Sequence, residues 1–412
     1  MPYVINPVVT INDVDYTSDT INGLTATAGR TIVDEQPRAG YCNVRIIEFD
    51  ANANNIEIHQ EIQIRVDDSN GNDVILWTGY VSDVTRSIQQ FGQTGYVTQV
   101  NVTGVGTLGK LNRRLAGGSG YSKEFDGDRI AAILLETAGE TWADVNPTLT
   151  WANVDPLLTW ADYDILIGTI DTPGDFELQA YAGGQTNGLT LAQTMANSGL
   201  GLLYENNLGQ INYDSFSARL DRVATNGFLN LDADAILAAG LTSTSRLNDL
   251  INTVTVSYKN NQTESGSDTT SIAVYGEYMS AIVTELEHTA DATQRVNYYL
   301  DTRAFPRTSI TGVNLVLSTD TIADALRDDL LGLYVGLPVS IDTLPTNIYA
   351  APFTGFVEGY TWQLNRNELF LSLNVSDYAL SQLEMNWLQV PASETWNTIT
   401  PTLDWANARS VI

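Results

Sequence analysis

The side chains best suited to catalysis are few in this chain and stand far apart. Histidine occurs only at His59 and His288, each read as an isolated strand or loop residue, and cysteine only at Cys42. Zinc needs several nitrogen or sulfur donors converging on one point, and no His-Glu-x-x-His, paired cysteine or Cys-His spacing supplies them. Gly-x-Ser-x-Gly and the phosphate-binding glycine loop are absent, so serine hydrolysis and nucleotide hydrolysis have no carrier. With 49 acidic residues, some carboxylate pair must fall at glycosidase separation in any fold, so such a pair says nothing. Asp67-Asp68-Ser69-Asn70-Gly71 resembles a calcium loop superficially. Counting back from Gly71 puts Val66 at the first ligand position, and the closing bidentate glutamate has no place. A turn is the better reading. No catalytic residue, cofactor or metal ion is expected.

The tryptophans are more regular. Thr141-Trp142-Ala143-Asp144, Thr150-Trp151-Ala152-Asn153 and Thr159-Trp160-Ala161-Asp162 recur every nine residues, with Pro147 and Pro156 between them. Thr395-Trp396 and Asp404-Trp405-Ala406-Asn407, separated by Pro401, repeat the pattern near the C-terminus. Proline and the short period exclude a continuous helix. An indole is a large apolar anchor with one polar edge, suited to docking an extended segment on a partner. Trp142, Trp151, Trp160, Trp396 and Trp405 are thus interface candidates. Packing on this chain's own domains is an equal alternative, and stacking on sugars a lesser one.

The elements that must position these residues are mostly strands. Val44–Phe49 and Glu61–Val66 alternate apolar and polar residues in the half-buried pattern. Asn70-Gly71 supplies a hairpin turn, Val74–Val81 returns, and Tyr96–Val102 alternates again. Many short strands with turn signals and no helix between them mean a barrel or sandwich. Past the flexible Ala116–Gly120, helical spacing appears at Asp128–Glu136 and at Leu189–Ala196, stopped by Gly199. Gly201–Glu205 and Gln210–Tyr213 read as a hairpin, completing a small α+β domain. From Asn252 the β pattern returns, with helices expected at about 291–304 and 321–331 and strands at Leu337–Ile341, Phe353–Trp362 and Glu368–Val375. The division expected is 1–115, 116–245, 246–380 and an extended tail at 381–412.

The two β regions end alike. Trp77-Thr78-Gly79-Tyr80-Val81 follows Ile64-Arg65-Val66-Asp67, and Phe353-Thr354-Gly355-Phe356-Val357 follows Val339-Ser340-Ile341-Asp342. Closing strands follow at Val100-Asn101-Val102-Thr103 and Leu373-Asn374-Val375-Ser376. The offset is 276 residues at the glycines and 273 at the asparagines, so order and spacing are nearly preserved. In each copy the aromatic, Trp77 or Phe353, is expected in the core. Gly79 or Gly355 permits the bend or bulge at a barrel corner. Aromatic-Thr-Gly-aromatic is a common strand phrase, and the matching neighbours on both sides turn it into an argument for duplicated barrels.

Charge narrows the partners. Net charge is −29 and the only lysines are Lys110, Lys123 and Lys259, so a patch that neutralises phosphates is not available. The acidic balance reads either as a well-solvated surface or as a wall past which DNA moves without sticking. A single cysteine forms no internal disulfide. The first residues carry no basic region followed by an apolar stretch, so no secretory signal is expected. No run approaches the ~20 apolar residues of a membrane span.

This combination resembles the hub proteins of tailed-bacteriophage baseplates and tail tips. The resemblance covers about 3–380 and rests on the architecture and on the Ile64–Val81 and Ile341–Val357 strands. The helix and hairpin of Leu189–Tyr213 are similar to the middle domain of such hubs. Two departures stand out: the tryptophan repeat is not a general hub feature, and no enzymatic or receptor-binding domain follows. The resemblance implies a mainly β fold, with a tail-tube-like barrel on each side of an α+β insertion. It further implies a homotrimer whose six barrels ring the passage beneath a six-fold tube. Its partners would be the tail-tube or distal tail protein above and a tip or fibre protein below, with DNA only as transiting cargo. A hexameric distal tail ring, a carbohydrate-binding virion protein and a polysaccharide-cleaving enzyme are the alternatives.

Overall fold

The computed structural model describes residues 5–17, 23–48, 55–90, 96–138, 166–345, 352–365 and 368–381. The chain is mainly β. The first region supplies β1 (Val8–Ile11), β2 (Val14–Asp15), β3 (Leu24–Gly29), β4 (Arg38–Glu48), β5 (Glu61–Asp67), β6 (Asp73–Gln90) and β7 (Tyr96–Val105). Alternation builds these strands as expected: along β5, Ile62, Ile64 and Val66 are fully buried while their neighbours stay half-exposed. Each such side chain contributes about 1.5–3 kcal/mol on burial.

Short strands β8 (Leu115–Ala116) to β12 (Thr186–Asn187) tie the middle region together, with β9 at Glu124–Phe125, β10 at Ile167–Ile170 and β11 at Glu177–Leu178. The expected hairpin is β13 (Leu202–Glu205) against β14 (Ile211–Asp214). Helices Asp126–Thr137 and Gly188–Ser198 pack with it in a second apolar core, which Val254, Val256 and Val296 of the later chain share. Asn187 caps the second helix by accepting from Thr190 N, and Gly199 ends it.

The remaining strands are β15 (Leu229–Asn230), β16 (Leu241–Thr244), β17 (Thr253–Tyr258), β18 (Gln262–Ser267), β19 (Met279–Val283), β20 (Ser309–Val316), β21 (Pro338–Ile341), β22 (Phe353–Asn365) and β23 (Glu368–Asp377). The expected helices lie at Thr289–Arg303 and Asp324–Leu331. β15 and β16 precede residue 246 yet pair with the late strands, whereas β17–β19 form a separate three-stranded sheet under helix Thr289–Arg303.

Two separate barrels were expected, and the strands do something else. The main sheet has 13 strands along the path β16-β20-β23-β22-β3-β4-β7-β6-β5-β1-β2, with β21 and β15 branching from β22. No closed barrel forms among the described residues. The β regions are fused because β3, an edge of the first, pairs antiparallel with β22 of the second, from Leu24↔Leu364 to Gly29↔Gly359. Fusion satisfies backbone groups that two separate modules would leave open. One apolar cluster runs beneath both.

The halves nevertheless repeat. β3-β4-β7-β6-β5 in the first matches β16-β20-β23-β22-β21 in the second, antiparallel at every step. The outermost strand differs, β1 being antiparallel to β5 but β15 parallel to β21.

Candidate functional site

The paired signature strands β6 and β22 are where the repeat is closest. Ile62 faces Gly79 and Ile64 faces Trp77; Val339 faces Gly355 and Ile341 faces Phe353. The hydrogen bonds before each hairpin also match. His59 N donates to Val81 O at 2.9 Å and Gly336 N to Val357 O at 2.7 Å. His59 has φ 73 and Gly336 φ 89, so a histidine holds the left-handed position that its counterpart gives to glycine.

Trp77 is 3% exposed and Phe353 fully buried, both in the core as expected. Gly79 and Gly355 sit in regular register, and what they provide is room. A Cβ on Gly355 would come 2.6 Å from Phe353 Cζ, and one on Gly79 2.7 Å from Trp77 Cζ2. Each ring folds back over the glycine two residues along. The register shift falls three residues beyond each glycine, at Ser82 between Val81 and Asp83 and at Glu358 between Val357 and Gly359. Beyond the bulge the inward parity switches: Phe353 and Val357 give way to Tyr360, Trp362 and Leu364, all at most 3% exposed.

Glu358 sits at the centre of a buried ion cluster. It accepts from Arg30 Nε at 2.6 Å and from Arg219 Nη1 and Nη2 at 2.9 and 3.0 Å, and Ser376 Oγ donates to it at 2.6 Å. Burial works against its charge, but the two guanidiniums win and hold its carboxyl well below the usual range. Arg30 follows β3 and Arg219 lies on helix Phe216–Asn226, so one carboxylate pins both β regions to the middle region.

A second buried glutamate marks the other seam. Glu205, at the end of β13, accepts backbone N–H groups from Gly40 and from Leu108, the latter at 3.0 Å. No cation faces it, and burial pushes its pKa up to about 7. Gln36 completes this seam, donating to Asn197 Oδ1 and Gly201 O, both at 2.9 Å, and accepting from Leu203 N.

Arg30, Gln36 and Arg219 line a small cavity with Asp34, Arg295 and Tyr298, whose lining holds no histidine or cysteine. The arrangement joins bodies. Among the described residues no three His, Cys, Asp or Glu side chains gather as a metal cluster, and no helix is long and apolar enough to cross a membrane. Cys42 is buried and unpaired. His288 is not isolated: its Nε2 lies 2.5 Å from Glu177, which also pairs with Lys123 at 3.0 Å on the surface. Trp142, Trp151, Trp160, Trp396 and Trp405, and the expected tail beyond residue 381, lie outside the described residues.

Sequence reading missed Glu358, Arg219, Arg30 and Glu205. For Glu358 a partial signal exists: Phe353 and Val357 are odd-numbered and Tyr360, Trp362 and Leu364 even-numbered, with Phe356 alone breaking the first set. Only a one-residue bulge keeps both sets on one face.

No protein-family model and no curated protein matches the sequence. Solved structures do match its fold. The tail protein from Neisseria meningitidis MC58 aligns at a TM-score of 0.60 and 11% identity, covering 92% of this chain and 98% of that one. The 43 kDa tail protein of prophage MuSo2 from Shewanella oneidensis aligns at 0.56 and 12% identity, covering 91% and 98%. At that identity the likeness concerns the fold, and it runs nearly end to end in both molecules: this chain has the fold of those tail proteins.

Proposed function

We propose that this chain is a structural hub of a phage tail tip, acting as a homotrimer that continues the tail tube. The observation that carries the reading is the internal repeat, with matching strand order, matching bulges and the same aromatic folded over the same glycine. Two like modules per chain give three copies six module positions, so a three-fold ring can meet a six-fold tube. The modules in this reading are tail-tube-like. One is β1–β7, ending near residue 115; the other is β15, β16 and β20–β23. The shared fold with tail proteins of two other genomes supports the same reading.

The role is mechanical. A tail-tube or distal tail protein binds above, a tip or fibre protein below, and the two tryptophan segments are proposed docking elements for such partners. The net charge of −29 suits a lumen that repels the phosphate backbone, since little screening intervenes at close range. Copy number in the particle, counted by electron microscopy, tests the proposal. Three copies at the tail tip are expected; six favour a distal ring, and copies scattered along appendages contradict both.

A further inference from the structure

Acidic residues outnumber basic ones by 49 to 20 in this chain, yet guanidinium groups gather around one cavity. It has a volume of about 50 Å³ and lies where segments far apart in sequence converge. Arg30 comes from the stretch after β3, Arg219 from helix Phe216–Asn226 and Arg295 from helix Thr289–Arg303. Asp34, Gln36 and Tyr298 complete the polar lining.

The carboxylates of this region already have partners. Glu358 is shared by Arg30 and Arg219, Asp34 pairs with Arg303 at 2.7 Å, and Asp214 pairs with Arg222. With Arg295 added, five guanidiniums stand against three carboxylates, an excess of two positive charges. Arg295 carries the imbalance. Only 6% of it is exposed, and no carboxylate pairs with it among the described residues. Its Nε has no hydrogen-bond acceptor there, and its Nη1 donates only to Ser198 O, at a long 3.4 Å. The Tyr299 ring, centred 5.6 Å from its Cζ, is a weaker partner than a carboxylate. A guanidinium does not give up its proton, so burial cannot neutralise it as it would a lysine. A buried cation short of acceptors, beside a polar cavity, is the complement of an oxyanion.

We propose that this cavity is an oxyanion site built on Arg295, taking a group the size of a carboxylate or an inorganic phosphate. Its volume is far below the roughly 300–1,000 Å³ of sites for drug-sized ligands, so a nucleotide or a sugar does not fit. The same chemistry has two sources. One is a free oxyanion from solution. The other is Glu384, the first carboxylate that follows Ser381 in the sequence. The chain reaches Ser381 at the rim of the cavity: Tyr298 donates to Leu380 O at 2.7 Å and Arg219 Nη1 to Ser381 Oγ at 3.4 Å. An occupant would offset the excess positive charge at the point where both β modules meet the middle region. The site stands whether or not the chain forms a trimeric ring.

Equilibrium dialysis of the full-length chain against radiolabelled inorganic phosphate, in chloride buffer of constant ionic strength, tests the site. A free oxyanion ligand predicts saturable binding of one phosphate per chain in the wild type. If Glu384 supplies the carboxylate, the wild type takes up none and Glu384→Gln binds one. Arg295→Met should abolish uptake in whichever background shows it, and circular dichroism checks that the variant folds. Arg295→Lys keeps the charge and loses the planar fork, so it should weaken uptake about tenfold; it decides the matter if the methionine variant does not fold. The proposal is overturned if neither the wild type nor Glu384→Gln binds phosphate saturably. Uptake that survives Arg295→Met, or an affinity unchanged by Arg295→Lys, overturns it equally.

Discussion

Ser82 and Glu358 occupy the same place in the two β modules and are used in opposite ways. Around Glu358 the bulge is covered: β3 lies along the strand beyond it, and Arg30 and Arg219 close on the carboxylate. Around Ser82 the hydroxyl reaches Asp83 and the carbonyl of Thr103, and Arg86 of the strand beyond donates to the carbonyl of Ile56. The same backbone device therefore carries a buried ion cluster in one module and only hydroxyl hydrogen bonds in the other.

The largest expected effect breaks that contrast at its buried end. Glu358→Gln should cost about 3–5 kcal/mol, because two buried guanidiniums lose their counter-charge. Ser82→Ala should move stability by less than about 0.5 kcal/mol. Urea denaturation of the two variants measures both, and comparable losses would mean that the bulges are equivalent after all.

The two buried glutamates should also separate with pH. The pKa of Glu205 is raised from 4.5 to about 7, so between those values the folded chain holds a proton that the unfolded chain has released. Stability then falls as pH rises from about 4.5 to about 7, by at most about 3 kcal/mol, and Glu205→Gln should flatten that part of the profile. Asp126, raised to about 6, leaves a smaller residual slope of the same sign. Glu358, held low, acts the other way: its contribution is complete above pH 4.5 and disappears as pH falls through its depressed pKa. Thermal midpoints across the range test the signs.

Gly79→Ala and Gly355→Ala sharpen the likeness. Each added methyl group collides with the ring folded over it, costing about 1–3 kcal/mol by overpacking, and Gly355→Ala should cost more because its Cβ would also lie 2.0 Å from the backbone carbonyl of Ser376, against 2.7 Å from that of Val105 at Gly79. The smallest effect is a gain. His59→Gly should stabilise by up to about 1 kcal/mol, since it gives the left-handed position the residue its counterpart Gly336 already has. Chemical denaturation reads all three variants.

What the sequence revealed follows from how local the information is. Alternation in Glu61–Val66, the Asn70-Gly71 turn and the helical spacing of Asp128–Glu136 are short-range signals, and those elements form where expected. The likeness of Trp77–Val81 to Phe353–Val357 was visible because both lie in long strands with aromatic landmarks. Its registration with the closing strands was two residues off: Val81 pairs with Gly104 and Val357 with Val375, which sets Thr103, not Asn101, opposite the role of Asn374. β16 escaped notice because it is four residues long and has no aromatic, though its leading glycine and Leu-Thr-x-Thr core copy β3. The pairing of β3 with β22 spans more than 300 residues, and strand order over that distance leaves no periodic trace in a sequence. Glu358, Arg30 and Arg219 were invisible for a related reason. A buried charge looks like any surface charge until its partners are brought beside it.

The central claim is that the two modules are interchangeable units of one ring. The most direct measurement is a cryo-electron microscopy reconstruction of the assembled protein with no symmetry imposed. The account predicts three chains and six β modules at one radius, first and second alternating. Modules at unequal radii, or six whole chains around the axis, would contradict it.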